Sequence, residues 1–232
     1  MQKLTLSVVI PVYNEAETVG SVIQKVLTEV PVDLEIVVIN DGSTDGTAEG
    51  LERIAAAESR VRLVHQKNAG KTAALAKGFE LTRGDIVIIQ DADLEYDPGE
   101  IIHVIEPILS GRADVVYGSR FLVRRAARVL FYYHFLANSF LTFLSNVLTN
   151  LNMTDVETGY KAFRGDIIRN MKFQSKGFGI EIEVTARIAR LGVRVYEVPI
   201  SYYGRTYLEG KKIGLKDGIH AIWYIFRFNL FR

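Results

Sequence analysis

A chain of 232 residues that is 48% hydrophobic and 24% charged has enough apolar surface for one large core and too much for a disordered segment. With 28 Lys and Arg against 27 Asp and Glu the net charge is +1, which excludes binding to nucleic acid through bulk charge, so no nucleic-acid partner is expected. The lack of cysteine excludes disulfides and thiolate metal sites.

Met1-Gln2-Lys3 passes straight into a strand pattern without the marks of a signal peptide, so a cytoplasmic location is expected. Residues 4–10 form a strand-like apolar run, and 15–30 carries helical spacing through Val19, Val22, Ile23, Val26 and Leu27. Strands at 34–39, 61–64, 86–89 and 115–117 alternate with helices at 47–57, 71–81 and 101–109. That alternation predicts an α/β fold, Rossmann-like, with a mostly parallel central sheet and helices on both faces. Ligands of such sheets bind beyond the carboxyl ends of the strands. The unusual loops all fall there: Pro11-Val12-Tyr13-Asn14-Glu15, Asn40-Asp41-Gly42-Ser43-Thr44-Asp45-Gly46-Thr47, Lys67-Asn68-Ala69-Gly70-Lys71 and Gln90-Asp91-Ala92-Asp93-Leu94-Glu95.

The last of these follows a buried β-branched run, and Asp97-Pro98-Gly99-Glu100 behind it reads as a helix start with Asp97 as N-cap. Alternate side chains of an extended segment share a face, so Asp91, Asp93 and Glu95 are expected to converge on one point. Three hard oxygen donors suit Mg²⁺ or Mn²⁺ better than zinc. Two common phosphate loops are excluded. No glycine stands in 11–15, so the first strand opens no dinucleotide fingerprint, and His65 occupies the place of the glycine that a Walker loop ending at Gly70-Lys71-Thr72 requires. Phosphate must then be managed by metal and basic side chains, and basic residues cluster at 120–128 and 205–216.

Residues 129–154 hold no Asp, Glu, Lys or Arg. Asn138, Thr142, Ser145, Thr149 and Asn152 recur at steps of four and three, so the segment reads as an amphipathic helix and not a membrane span. A strand at 158–163, a helix at 180–191 and a strand at 193–200 lead into the loop 202–214. The end, 219–232, combines Trp223, Tyr224, Phe226, Phe228 and Phe231 with Arg227 and Arg232, a composition suited to the headgroup region of a bilayer. The expected organisation is a domain over 1–218 and an amphipathic aromatic and basic helix over 219–232.

Taken together, the four loops with Gly118-Ser119-Arg120 resemble, in order and spacing, the family 2 glycosyltransferases of GT-A fold. The second half, with Thr158-Gly159-Tyr160-Lys161-Ala162-Phe163-Arg164, Ser175-Lys176-Gly177-Phe178 and Glu197-Val198-Pro199-Ile200, is similar to dolichol- and polyprenyl-phosphate hexose synthases. The resemblance implies an inverting, metal-dependent transfer of a hexose from a GDP- or UDP-linked donor to a polyprenyl phosphate. It implies that Pro11, Tyr13, Glu15, Asp41, Lys71, Asp91, Ala92 and Asp93 bind the nucleotide-sugar, and that Asp93 and Glu95 ligate Mg²⁺ or Mn²⁺. Asp93, Arg120, Arg205 and Lys212 would be the catalytic set, the last two on a loop that closes over the donor. Arg120, Arg128, His134 and Asn138 would take the acceptor phosphate. Glu95 stands where mannose-phosphate synthases commonly carry Gln, and Asn40 where the family often carries Asp. Glu181 and Glu183 read as charges on an exposed helix face. The protein would work peripherally at the inner face of the membrane, with a membrane-anchoring subunit or a second copy as further partners. A family 2 transferase with a soluble or polysaccharide acceptor, a non-catalytic nucleotide-sugar-binding subunit and a nucleotidyltransferase with a similar metal loop are the competing readings.

Overall fold

The computed structural model describes residues 4–122, 129, 131–205 and 215–231. Seven strands form one sheet in the order β3-β2-β1-β4-β6-β5-β7. They are β1 (Leu6–Val12), β2 (Leu34–Asn40), β3 (Val61–His65), β4 (Ile86–Ile89), β5 (Val115–Ser119), β6 (Lys161–Arg164) and β7 (Val195–Pro199). β1 pairs in parallel with β2 and β4, β2 with β3, and β5 with β7. β6 runs antiparallel between β4 and β5, so the sheet is mixed at that one place. The unbroken apolar runs of β1, β2 and β4 are buried on both faces, as parallel strands covered by helices require.

The helices are α1 (Val19–Glu29), α2 (Thr47–Ala57), α3 (Lys71–Leu81), α4 (Ile101–Leu109), α5 (Tyr132–Thr149), α6 (Gly165–Ile168), α7 (Ile180–Leu191) and α8 (Leu215–Leu230). Val19, Val22, Ile23 and Val26 of α1 and Val104, Ile105 and Ile108 of α4 share a core with β1 and β4. Leu75 and Phe79 of α3 and Ile180, Val184 and Ile188 of α7 pack in a second one with Val9, Val87 and Phe163. Gly78 lets α3 lie tight on β1, since a Cβ there would stand 2.4 Å from Val9 Cγ1.

Two expectations change in detail. The first helix was expected from residue 15 but starts at Val19: the Glu15 carbonyl closes a turn with the N–H groups of Thr18 (3.2 Å) and Val19 (3.1 Å), and its carboxylate accepts from the Thr18 hydroxyl at 2.9 Å. Asp97 caps as expected, accepting from Gly99 N–H at 3.2 Å, but over a 3-10 turn (Pro98–Glu100). Glu100 reaches across to the N–H (2.7 Å) and hydroxyl (2.8 Å) of Ser201.

Of the expected polar stripe, Asn138, Thr142, Ser145 and Thr149 lie on α5 with Thr142 and Ser145 facing inward, while Asn152 falls past the end of the helix and is exposed. Thr142 and Ser145 are buried with Leu141, and the Thr142 hydroxyl accepts from Val156 N–H at 3.2 Å. Asn146 holds both the carbonyl (2.8 Å) and the N–H (3.1 Å) of Met153. The segment 150–160 runs irregularly beneath α5, and its backbone groups need these side chains as partners. The outer face of α5 is left to Tyr133, Phe140, Phe143 and Val147, all exposed. α8 packs on α5 and α7 through Ala221 and Ile225, with Trp223, Phe226 and Leu230 turned out. α8 runs without a break through position 219, where the second segment was expected to begin. Among the described residues no helix is long and apolar enough to cross a membrane.

Candidate active site

The four loops expected to meet do meet. The N–H of Asn14 donates to Ser43 Oγ (2.9 Å), Thr44 N–H to Asn14 Oδ1 (2.8 Å), Glu15 N–H to Thr47 Oγ1 (3.0 Å) and Asp41 N–H to the Val12 carbonyl (2.8 Å). Asn14 holds a left-handed conformation, φ +52°, which Asn tolerates because its side chain bonds locally. These contacts tie the ends of β1 and β2 into one rim. Below it opens a cavity of about 430 Å³, lined by Pro11, Tyr13, Glu15, Asp41, Lys71, Asp91, Ala92, Asp93, Glu95 and Arg205. All eight residues expected to bind the nucleotide-sugar are on that lining.

Asp41 sits on the wall with its carboxylate already engaged. Oδ1 accepts from Gln66 Nε2 (2.7 Å) and Ala69 N–H (2.9 Å), and Oδ2 from Gly70 N–H (2.8 Å). What Asp41 presents to a ligand is therefore chiefly the shape of the loop 66–70.

Lys71, at the start of α3, is buried between two carboxylates: its Nζ lies 3.0 Å from Asp91 Oδ1 and 3.1 Å from Glu181 Oε1. Burial alone would lower its pKa, but Asp91 and Glu181 outweigh that and hold the ammonium well above its ordinary range. Glu181 and Glu183 are thus buried groups and not an exposed helix face. The strict apolar alternation in Ile180-Glu181-Ile182-Glu183 was the available signal, because it places a charge on each side of a helix that has no solvent-facing side there.

The three acidic groups do not close on one point: among the described residues no set of three His, Asp or Glu side chains stands close enough to hold an ion. Each carboxylate has been drawn toward a different partner. Asp91 turns to Lys71. Glu95 accepts from the Tyr202 hydroxyl (2.9 Å) and from Arg205 N–H (2.5 Å). Asp93 is left with the N–H of Glu95 at 3.2 Å, and burial, then the charges of Asp91 and Glu95, push its pKa up to about 7. A buried carboxyl beside two others, all of them hard oxygen donors, is a donor set that a divalent ion fits.

Arg205 crosses above this group. Its guanidinium holds Glu15 at 3.0 and 3.3 Å and the Asp93 carbonyl at 2.8 Å. The segment 201–205 is fastened along the acidic loop by the isolated bridge between Tyr96 and Tyr202 and by Tyr203 N–H donating to the Glu95 carbonyl at 2.9 Å. Lys212 and Arg128 lie outside the described residues.

Arg120 stands behind the cavity wall and not on it. It makes a bidentate pair with the fully buried Asp155 (Nε and Nη2 both at 2.7 Å) and lies 5.1 Å from the ring centre of Tyr202, which does line the cavity. Asn138 Oδ1 accepts from Arg120 at 3.4 Å, and Asn138 Nδ2 donates to the His134 carbonyl at 2.8 Å. Arg120 and Asn138 are thereby brought together near the start of α5, with His134 one turn before Asn138 on the same helix. Asp155 and Tyr202 complete these surroundings without having been given a role from the sequence, together with Gly177 and Phe178 of the motif Ser175-Lys176-Gly177-Phe178. Only their position in the fold brings Asp155 and Tyr202 here.

Residues 7–171 match the family described as Glycosyl transferase family 2. The chain is 32% identical over 219 residues to an undecaprenyl-phosphate mannosyltransferase of Micrococcus luteus, covering 89% of this chain and 86% of that one. It is 31% identical over 206 residues to a polyprenol monophosphomannose synthase of Mycolicibacterium smegmatis, covering 85% of this chain and 77% of that one. In fold it matches the glucosyl-3-phosphoglycerate synthase of Mycobacterium tuberculosis, solved with Mn²⁺ and UDP-glucose, at a TM-score of 0.74 and 23% identity over 97% of this chain and 79% of that one.

Proposed function

The chain belongs to glycosyl transferase family 2, and on that premise we propose that it moves a hexose, mannose or glucose, from a GDP- or UDP-linked donor to a polyprenyl phosphate with inversion. The observation that carries this reading is the cavity in which Glu15, Lys71, Asp91, Asp93 and Arg205 face one another below the rim of the sheet. A nucleoside diphosphate brings to that place the ribose hydroxyls that Glu15 can bind and the negative charge that Arg205 can take.

In the reaction an oxygen of the acceptor phosphate attacks the anomeric carbon of the hexose. The new C–O bond forms as the bond to the β-phosphate oxygen breaks, and the electron pair departs with the nucleoside diphosphate. A phosphate monoester has its second pKa at about 6 and is ionised at neutral pH, so no proton has to move and no side chain has to act as base. The protein's task is to place two anions and to neutralise the charge that builds on one of them. Arg205 would turn from Glu15 to the diphosphate, and Lys212 of the same loop in sequence would add a second cation. Asp93 and Glu95 would hold Mg²⁺ or Mn²⁺, which supplies further neutralisation of the leaving group. Arg120 with Asn138 and His134, and Arg128 nearby in sequence, would receive the acceptor phosphate.

The helices α5 and α8 pack against each other and expose Phe140, Phe143, Val147, Trp223 and Phe226, which supports peripheral docking at the cytoplasmic face of the membrane that holds the acceptor. The test is transfer of label from GDP-mannose and UDP-glucose, with Mn²⁺, to vesicles containing polyprenyl phosphate. Organic-extractable product is expected. Label moved only to a water-soluble phosphorylated acceptor would remove the lipid, and none moved from either donor would remove the donor.

A further inference from the structure

The loop 174–178 contributes Gly177 and Phe178 to the cavity wall, and three elements hold its backbone. From α7, the buried Glu183 accepts from the N–H of Gln174 (2.9 and 3.0 Å) and of Ser175 (2.7 Å), with Arg187 neutralising it at 2.6 Å. From α3, Thr72 donates both its N–H and its hydroxyl to the Gly177 carbonyl at 3.0 Å. From α8, the Tyr224 hydroxyl accepts the N–H of Lys176 at 3.0 Å. The Tyr224 ring also covers Gly179 so closely that a Cβ there would stand 2.4 Å from Cε2. Phe178 is thus flanked by two glycines, Gly177 at φ +58° and Gly179, and its backbone is free to move unless neighbours fix it.

We infer that Tyr224 is a positioning residue for the donor cavity, and that α8 belongs to that site through its inward face while its outward face is exposed. The inference rests on the cavity being the donor site. Thr72 fixes the carbonyl after the loop's turn and Glu183 the two amides before it, but the Lys176 amide, next to Gly177, is held from α8. Losing that bond leaves the Gly177-Phe178 wall held by Glu183 at Ser175, by Thr72 at the Gly177 carbonyl and by the turn bond from Gly179 N–H to the Lys176 carbonyl (3.1 Å), with its Lys176 amide no longer tied to another element. Donor binding then bears the cost of ordering it, which appears in KM, while the groups that meet the reacting atoms are untouched.

The variant Tyr224→Phe removes the hydroxyl but keeps the ring over Gly179 and its stacking on Phe228 (centroids 5.5 Å). Two measurements on the full chain decide the matter. In the ligand-free protein, hydrogen exchange over 174–179 should quicken in Tyr224→Phe and remain as in wild type in His220→Ala, an exposed position of the same helix. With GDP-mannose and UDP-glucose in Mn²⁺ buffer, the donor KM should rise about fivefold with kcat within about twofold, inside the range that one neutral hydrogen bond is worth. Unchanged exchange together with unchanged KM overturns the inference, as does an equal change in His220→Ala. If wild-type protein uses neither donor, the donor reading falls, and the exchange arm still decides whether Tyr224 fixes the loop.

Discussion

Arg205 grips Glu15 through two hydrogen bonds of 3.0 and 3.3 Å, so the cation proposed for a diphosphate is engaged by the carboxylate proposed for a ribose. Donor binding as proposed would exchange both partners at once. Arg205→Ala is accordingly expected to lower kcat about 100-fold, the scale of one lost charge-stabilising donor. The Kd for nucleoside diphosphate should change far less, because the variant no longer has an Arg205–Glu15 pair to open. Turnover and calorimetric Kd measured side by side check this, and equal losses in both would count against it.

The Asp93 carboxyl is the least neutralised of the acidic group. Asp93→Asn is expected to remove the Mn²⁺-dependent part of nucleoside diphosphate binding and to leave the metal-free part within about twofold. Titration of Mn²⁺ followed by electron paramagnetic resonance, with and without nucleotide, reads it directly. Undiminished Mn²⁺ uptake in the variant would place the ion elsewhere.

Lys71 is enclosed by two carboxylates whose side chains are mostly buried. Lys71→Met strands both charges and should cost about 3 kcal/mol of stability, the usual scale for removing one member of a buried pair. Adding Glu181→Gln to that variant should recover part of the loss. Urea unfolding of the single and double variants tests the coupling, and strict additivity would contradict it.

Glu157 gives a pH dependence of defined sign. Burial, then the neighbouring Glu181, raises its carboxyl to about 7 from its ordinary 4.5, and its Oε1 has no hydrogen-bond partner. The folded state therefore binds the proton more tightly than the unfolded chain. The stability this gives is full below about 4.5 and is lost as pH rises to about 7. Glu157→Gln should gain on wild type across that window, as read from unfolding midpoints. A difference that stays flat with pH would refute the assignment.

The exposed faces of α5 and α8 predict a separation of binding from folding. Changing Phe140, Phe143 and Trp223 together to Ser should leave the thermal midpoint nearly unchanged and weaken attachment to anionic vesicles by at least about tenfold, given some 1.5–3 kcal/mol for each fully buried large side chain. Ile225→Ser, on the buried side of α8, should instead destabilise the fold. Sedimentation with vesicles and a melting curve on both variants distinguish the two faces.

The sheet and its helices were legible because the central parallel strands carry apolar runs and the helices show their own period, which is local information. The four loops were legible for a related reason, since each lies at or within a few residues of the carboxyl end of one of those strands. What stayed hidden was pairwise. Nothing near Arg120 in sequence indicates that Asp155 will take its two nitrogens, or near Lys71 that Glu181 will share it. The inward turn of α5's polar stripe was hidden too, because the partner it satisfies is an irregular backbone that has no pattern of its own.

The place of β6 in the sheet also bears on how the chain is made. β4, which carries the acidic loop, pairs with β1 on one side, and on the other with β6, which comes more than seventy residues later. On the ribosome, β1 to β4 can assemble as a parallel unit while Ile86–Ile89 remains an open apolar edge, and β5 has no neighbour until Lys161–Arg164 emerges. The nascent protein thus carries an unpaired hydrophobic strand through about a third of its synthesis, and a pause or truncation before β6 leaves a template for aggregation at the strand that holds the active-site carboxylates.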